Sequence, residues 1–230
     1  MLKLLLIQAD IATEMDSIAA ASDGISTKFI DLAFKGGWIM IPILLLSVIG
    51  VYIFFDRYLA IKKAGKFDNG LLEKIRVYIT SGKVDEAMML CRSSNSPAAR
   101  MVEKGISRIG RPLSDVTTAI ENVGNLEISK LEKGLPVLAS VAGGAPMLGF
   151  LGTVMGMIQA FYDMANAGNN IDVTLLSTGI YQAMVTTVAG LIVGIIAYFA
   201  YNILVSSVEK VVFTMEATTS EFMDLLNEPA

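Results

Sequence analysis

The sequence predicts an all-α membrane protein with three transmembrane helices, the second and third extended into a cytoplasmic helical bundle. Three observations carry that expectation. No Asp, Glu, Lys or Arg occurs between Asp172 and Glu209, a stretch long enough to cross a bilayer as a helix and continue beyond it. Two further runs, Trp38–Phe55 and Leu135–Tyr162, are also free of charge. The composition agrees: 53% of residues are hydrophobic and the mean hydropathy is +0.59, values that soluble domains rarely reach.

Each segment has its own rationale. Residues 1–35 open on M-L-K-L-L-L-I-Q-A, whose apolar core is too short for a good secretory signal. Ile11, Met15, Ile18, Ile25, Phe29 and Leu32 then follow helical spacing, so an amphipathic helix on the outer membrane surface is expected, with a cleaved leader as the alternative. The first span is expected over 36–57. Phe34 and Trp38 suit one interface and Tyr58 the other, and Pro42 falls in the first turns, where a helix tolerates it. The second span is expected over 134–164, with Pro136 and Pro146 implying a kink or a loosened backbone. A periplasmic loop over 165–173, a third span over 174–206 and a cytoplasmic C-terminal helix over 207–230 complete the chain.

Charge orients the spans. Fourteen of the 18 Lys and Arg residues lie between Asp56 and Lys133, whereas the segment from Asp163 to Asp172 has none. The positive-inside rule then places 58–133 in the cytoplasm, the N-terminus in the periplasm and the C-terminus inside. Within 58–133 the pattern predicts short helices. Asp68 can cap one over 70–80, ended by Ser81 and Gly82. A second is expected over 83–92, stopped between Ser93 and Pro97, and a third over 98–108, stopped by Gly110 and Pro112. From Leu113 a longer helix places Leu113, Val116, Ile120 and Val123 on one face. After the third span Val208, Val211, Met215, Thr218, Phe222 and Leu225 alternate three and four apart. This seam can serve subunit contact or packing on helix 113–133 of the same chain.

The chemistry is defined as much by what is missing. There is no His, and Cys91 stands alone as a small residue suited to burial, so no disulfide, metal centre or His-based enzyme is expected. Nothing points to a cofactor, and a net charge of −4 gives no sign of a nucleic-acid partner. What the spans do hold are small-residue faces. Gly149, Gly152 and Gly156 line one side of the second span; Gly179, Ala183, Thr187, Gly190, Gly194, Ala197 and Tyr201 line one side of the third. Such faces admit another helix at close range. Thr153, Thr186, Thr187 and Gln182 add hydrogen-bonding groups, although Thr in a membrane helix commonly bonds its own backbone. A proton path needs a group that takes up and releases the proton, usually a carboxylate. Asp56, Asp163, Asp172 and Glu209 sit only at the edges of the spans. If the protein moves protons, a partner subunit's helix, packed on the small-residue faces, should bring the carboxylate.

The motifs G149-F-L-G152-T153-V-M-G156 and G179-I-Y-Q-A-M-V-T-T187-V-A-G190-L, with Tyr201 and Asn202, resemble the ExbB/TolQ/MotA proton-channel family, most closely its ExbB members. D56-R57-Y-L and S81-G-K-V-D-E-A-M-M-L-C91 add to the likeness, which covers the chain from about Trp38 to Asn202. The resemblance implies a homo-oligomeric ring in the bacterial inner membrane, commonly a pentamer, around a dimer of ExbD-like subunits. The intramembrane Asp of those subunits would take the proton. It also implies a TonB-like protein as the recipient of force, and pore positions at Thr153 and Thr187. Two positions depart: Gln182 stands where the family often has Glu, and Ile196 where a Pro is common. Other outputs within the resemblance are TolQ-like envelope maintenance and surface motility; outside it stands a membrane scaffold with no ion flow.

Overall fold

The computed structural model describes residues 36–65, 70–94, 96–166 and 173–227. The expected surface helix over 1–35, the Asp68 cap and most of the loop around 165–173 lie outside the described residues. Among those described there are seven α-helices and no strand: α1 Met40–Ala64, α2 Leu71–Thr80, α3 Val84–Ser93, α4 Pro97–Ile106, α5 Leu113–Glu132, α6 Leu135–Asn166 and α7 Val173–Asn227. Three helical stretches are long and apolar enough to cross a membrane: Met40–Ala64, the run Leu113–Asn166 and Leu176–Asn227. Large apolar side chains point outward along them, among them Ile41, Leu44, Phe150, Ile158, Ile196 and Phe199, which suits a lipid surround.

The chain forms two compact units, one from Met1–Ser47 with Gly143–Gly194, the other from Val48–Ala142 with Ile195–Ala230. The second unit contains the short helices. α2 ends in a Schellman-type turn: Gly82 sits at φ +73°, its N–H bonds Ile79 O, and the Lys83 N–H bonds Tyr78 O. α4 begins at Pro97 because Ser96 caps it, accepting from the Ala99 N–H at 3.3 Å. Pro97 therefore starts a helix rather than only ending the one before it, as proline's fixed φ and missing N–H favour.

The core of this unit is built where α4 and α5 meet the far end of α7. Val116, Ile120, Met215 and Phe222 are all buried. A Cβ added to Gly105 would collide with the Phe222 ring and reach 2.8 Å from Ile120 Cδ1, so glycine is what lets these helices touch. The seam Val208–Val211–Met215–Thr218–Phe222 is buried by the chain's own helices; Val211, for example, meets Gly65. The expected α5 face needs correction. Leu113 is exposed, and the buried face runs Val116, Ala119, Ile120, Gly124, Glu127, Leu131.

Glu127 is a carboxylate only 4% exposed. It is held by Arg100 Nη2 at 2.5 Å from α4 and by Lys130 Nζ at 2.7 Å from its own helix. Burial alone would raise its pKa; the two hydrogen bonds and the two positive charges outweigh burial and hold the carboxyl below its ordinary value. Between α5 and α6 the chain turns at Lys133 and Gly134, the latter at φ +88°. Arg57 fixes this turn: its Nη1 donates to Lys130 O at 3.3 Å while Nε donates to Asp56 at 2.9 Å. Charge-assisted bonds to the last carbonyls of a helix satisfy groups that the helix itself leaves unpaired.

Candidate proton-path site

The site lies in the first unit. Gly149, Gly152 and Gly156 recur three and four apart on α6 and face Gly179, Ala183, Thr186 and Gly190 of α7. A Cβ at Gly149 would lie 2.9 Å from Thr186 O and 3.2 Å from Gly190 Cα; one at Gly190 would lie 2.5 Å from Ala145 O. At Gly156 the neighbour is Ala183 Cβ at 3.0 Å, and at Gly179 it is Ala160 Cβ at 2.5 Å. The two backbones are therefore in direct contact, which only small residues permit. Within the chain, these two faces lie against each other. Two helices joined by a segment of only six residues can bring such faces together within one chain. Gly194 and Ala197 continue the same buried line on α7.

The hydroxyls divide into three situations. Thr186 is 1% exposed, packs against Gly152 and donates to Ala183 O at 2.7 Å. Its hydroxyl is spent inside the helix pair, so it lines no open surface of this chain. Thr187 is half-buried and donates across the helices to Gly149 O at 3.1 Å. Thr153, also half-buried, bonds back to Phe150 O at 2.6 Å. A hydroxyl bonded this way keeps its oxygen lone pairs available to a second donor.

Gln182 is half-buried, and its amide nitrogen sits directly over Gly37. Gly37 adopts φ +71°, and a Cβ there would strike the Gln182 amide, so glycine is required on both counts. Sequence reasoning missed Gly37, although the Gly36–Gly37 pair before Trp38 was the available signal. Gln182 opens onto a cleft of about 280 Å³ whose other polar lining groups are Gln159, Asp163 and Thr178. Gln159 Nε2 donates to Asp163 Oδ1 at 2.9 Å. Among the described residues no group of three His, Cys, Asp or Glu is placed to hold a metal ion.

Fold and site together define an all-α, multi-pass membrane protein whose spans present hydroxyl and amide groups at a tight helix pair. The chain belongs to the MotA/TolQ/ExbB proton channel family, whose pattern matches residues 93–217. An ExbB-like biopolymer transport protein of Synechocystis is 28% identical over 188 residues, 78% of this chain and 71% of that one. Biopolymer transport protein ExbB of Aquifex aeolicus is 36% identical over 115 residues, 49% of this chain and 77% of that one. The Tol-Pal system protein TolQ of Haemophilus influenzae is 34% identical over 106 residues, 46% of each chain.

Proposed function

We propose that this chain is an ExbB-type subunit of an inner-membrane motor that uses the proton motive force to energise TonB-dependent outer-membrane transport. It works as a homo-oligomer, a pentamer on the family resemblance, around an ExbD-like dimer whose intramembrane Asp carries the proton. The N-terminus is periplasmic, the C-terminus cytoplasmic, and a TonB-like protein receives the force. The observation that carries this reading is Thr187: a half-buried hydroxyl bridging the two most tightly packed spans, in a chain of a proton channel family. Thr153 and Gln182 supply further hydrogen-bonding groups along the path, while Thr186 acts through packing. The glycines at 149, 152, 156, 190 and 194, with Ala183, set the spacing of the wall.

The matching TolQ protein supports a second reading, TolQ-like envelope maintenance with a TolR-like partner. Deleting the chain separates the outputs. Failure of iron- or cobalamin-limited growth marks the ExbB role, detergent sensitivity with normal limited growth marks the TolQ role, and loss of movement alone marks a motility motor. No phenotype in any of the three assays would leave a non-conducting scaffold.

A further inference from the structure

We propose that Asp163 is the proton-loading carboxylate at the outer end of α6 and α7; this rests on the proton-channel reading above. Asp163 lines the cleft in the first unit. Its walls come from α6, α7 and the turn that precedes α1. Gln159, Asp163, Thr178 and Gln182 make the lining polar. A polar dent between helices that are otherwise apolar favours water, which needs two to four polar partners to stay. Among the described residues lining this cleft, Asp163 is the one titratable or charged group; α7 and the turn before α1 contribute none.

The position of Asp163 is set by α6. It lies in the last turn of α6, where the helix presents its partial negative end, and no basic side chain sits in that turn. A carboxylate placed there is opposed by the helix dipole. Its bond partner is neutral: Gln159 donates through Nε2 to Oδ1, which steers the carboxyl toward the cleft without compensating its charge. Such a group accepts a proton from cleft water, forming a carboxyl O–H bond as a hydronium O–H bond breaks. It then returns the proton to the next water along the cleft, which Gln182 also lines. No atom other than the proton is transferred, and the carboxylate is regenerated.

The test uses the full complex in cells lacking the native copy of this chain. Cytoplasmic acidification after an external acid step is read with an intracellular pH-sensitive fluorescent protein. Asp163→Asn, Asp163→Glu, the double variant Asp163→Asn with Gln182→Glu, and Thr187→Val are compared at equal membrane abundance. Loss of the carboxylate is expected to slow proton entry by about a hundredfold or more, on the usual scale of a positioned proton-transfer group. Asp163→Glu should retain entry, and the double variant should recover it, because the carboxylate is moved across the same cleft. Recovery in the double variant also separates a lost proton acceptor from a misfolded chain. Wild-type entry in Asp163→Asn while Thr187→Val is blocked overturns this inference and leaves the channel reading standing. Unchanged entry in every variant, Thr187→Val included, overturns both. Loss in Asp163→Asn that Gln182→Glu does not restore assigns Asp163 a structural role and also overturns the inference.

Discussion

Cys91 and Glu127 show how burial sets chemistry one residue at a time. The Cys91 thiol is 1% exposed, and burial, with the negative charge of Glu103 adding to it, pushes its pKa up to about 11. It should therefore resist maleimide at pH 7–8 in the folded protein and react once denaturant opens the second unit, a contrast that mass spectrometry reads directly. Glu127 behaves in the opposite sense. Its folded carboxyl is held below the unfolded value, so its contribution is complete above about pH 4.3 and fades as pH falls toward the folded pKa. Glu127→Gln should lower stability at neutral pH by about 1–3 kcal/mol, less than a fully buried pair because Arg100 and Lys130 are partly in water. Thermal unfolding in detergent should show the gap between wild type and variant closing below about pH 4.

At the scale of elements, the glycines decide which helices can meet. Gly190→Ala would press a methyl group 2.5 Å from the Ala145 carbonyl oxygen, a backbone atom that cannot swing aside. The expected cost is about 1–3 kcal/mol or more, seen as loss of folded protein in membranes. Gly143 and Gly144 lie on the same helix as Gly149, yet a Cβ on either meets nothing within 4 Å. Gly143→Ala should be neutral or stabilising by about 0.5–1 kcal/mol, because it removes backbone freedom from a helix interior. Phe222→Ala, at a fully buried ring, should destabilise by about 3–5 kcal/mol.

Most of this architecture could be read from spacing. Apolar runs gave the three candidate spans, and Ser81 with Gly82 gave the end of α2. The three-and-four alternation from Val208 to Phe222 gave the buried face of α7. Spacing shows which face is buried but not what covers it; within the chain, the glycines of α6 and α7 lie against each other. Glu127 was not legible because its burial depends on Arg100, a residue 27 positions away. Gly37 escaped because its role is steric and its partner, Gln182, lies on a distant helix. The Asp163 cleft was hidden for a related reason: its walls come from α6, α7 and a turn on a separate segment.

For the whole molecule, function depends on what the helix pair offers to its surroundings. Thr187 combines the structural and proposed functional roles, since its hydroxyl both ties α7 to Gly149 and stands on the proposed path. One interhelical bond of this type contributes only about 0.6 kcal/mol on average, so its removal should leave assembly intact. The most direct measurement is proton-motive-force-dependent uptake of an iron-siderophore or cobalamin in Thr187→Val and Thr187→Ser cells, with ring assembly followed in parallel. The expected result is normal assembly in both, uptake abolished by Val and largely kept by Ser, which retains the hydroxyl. Wild-type uptake with Val in a normally assembled complex would contradict a proton path through Thr187.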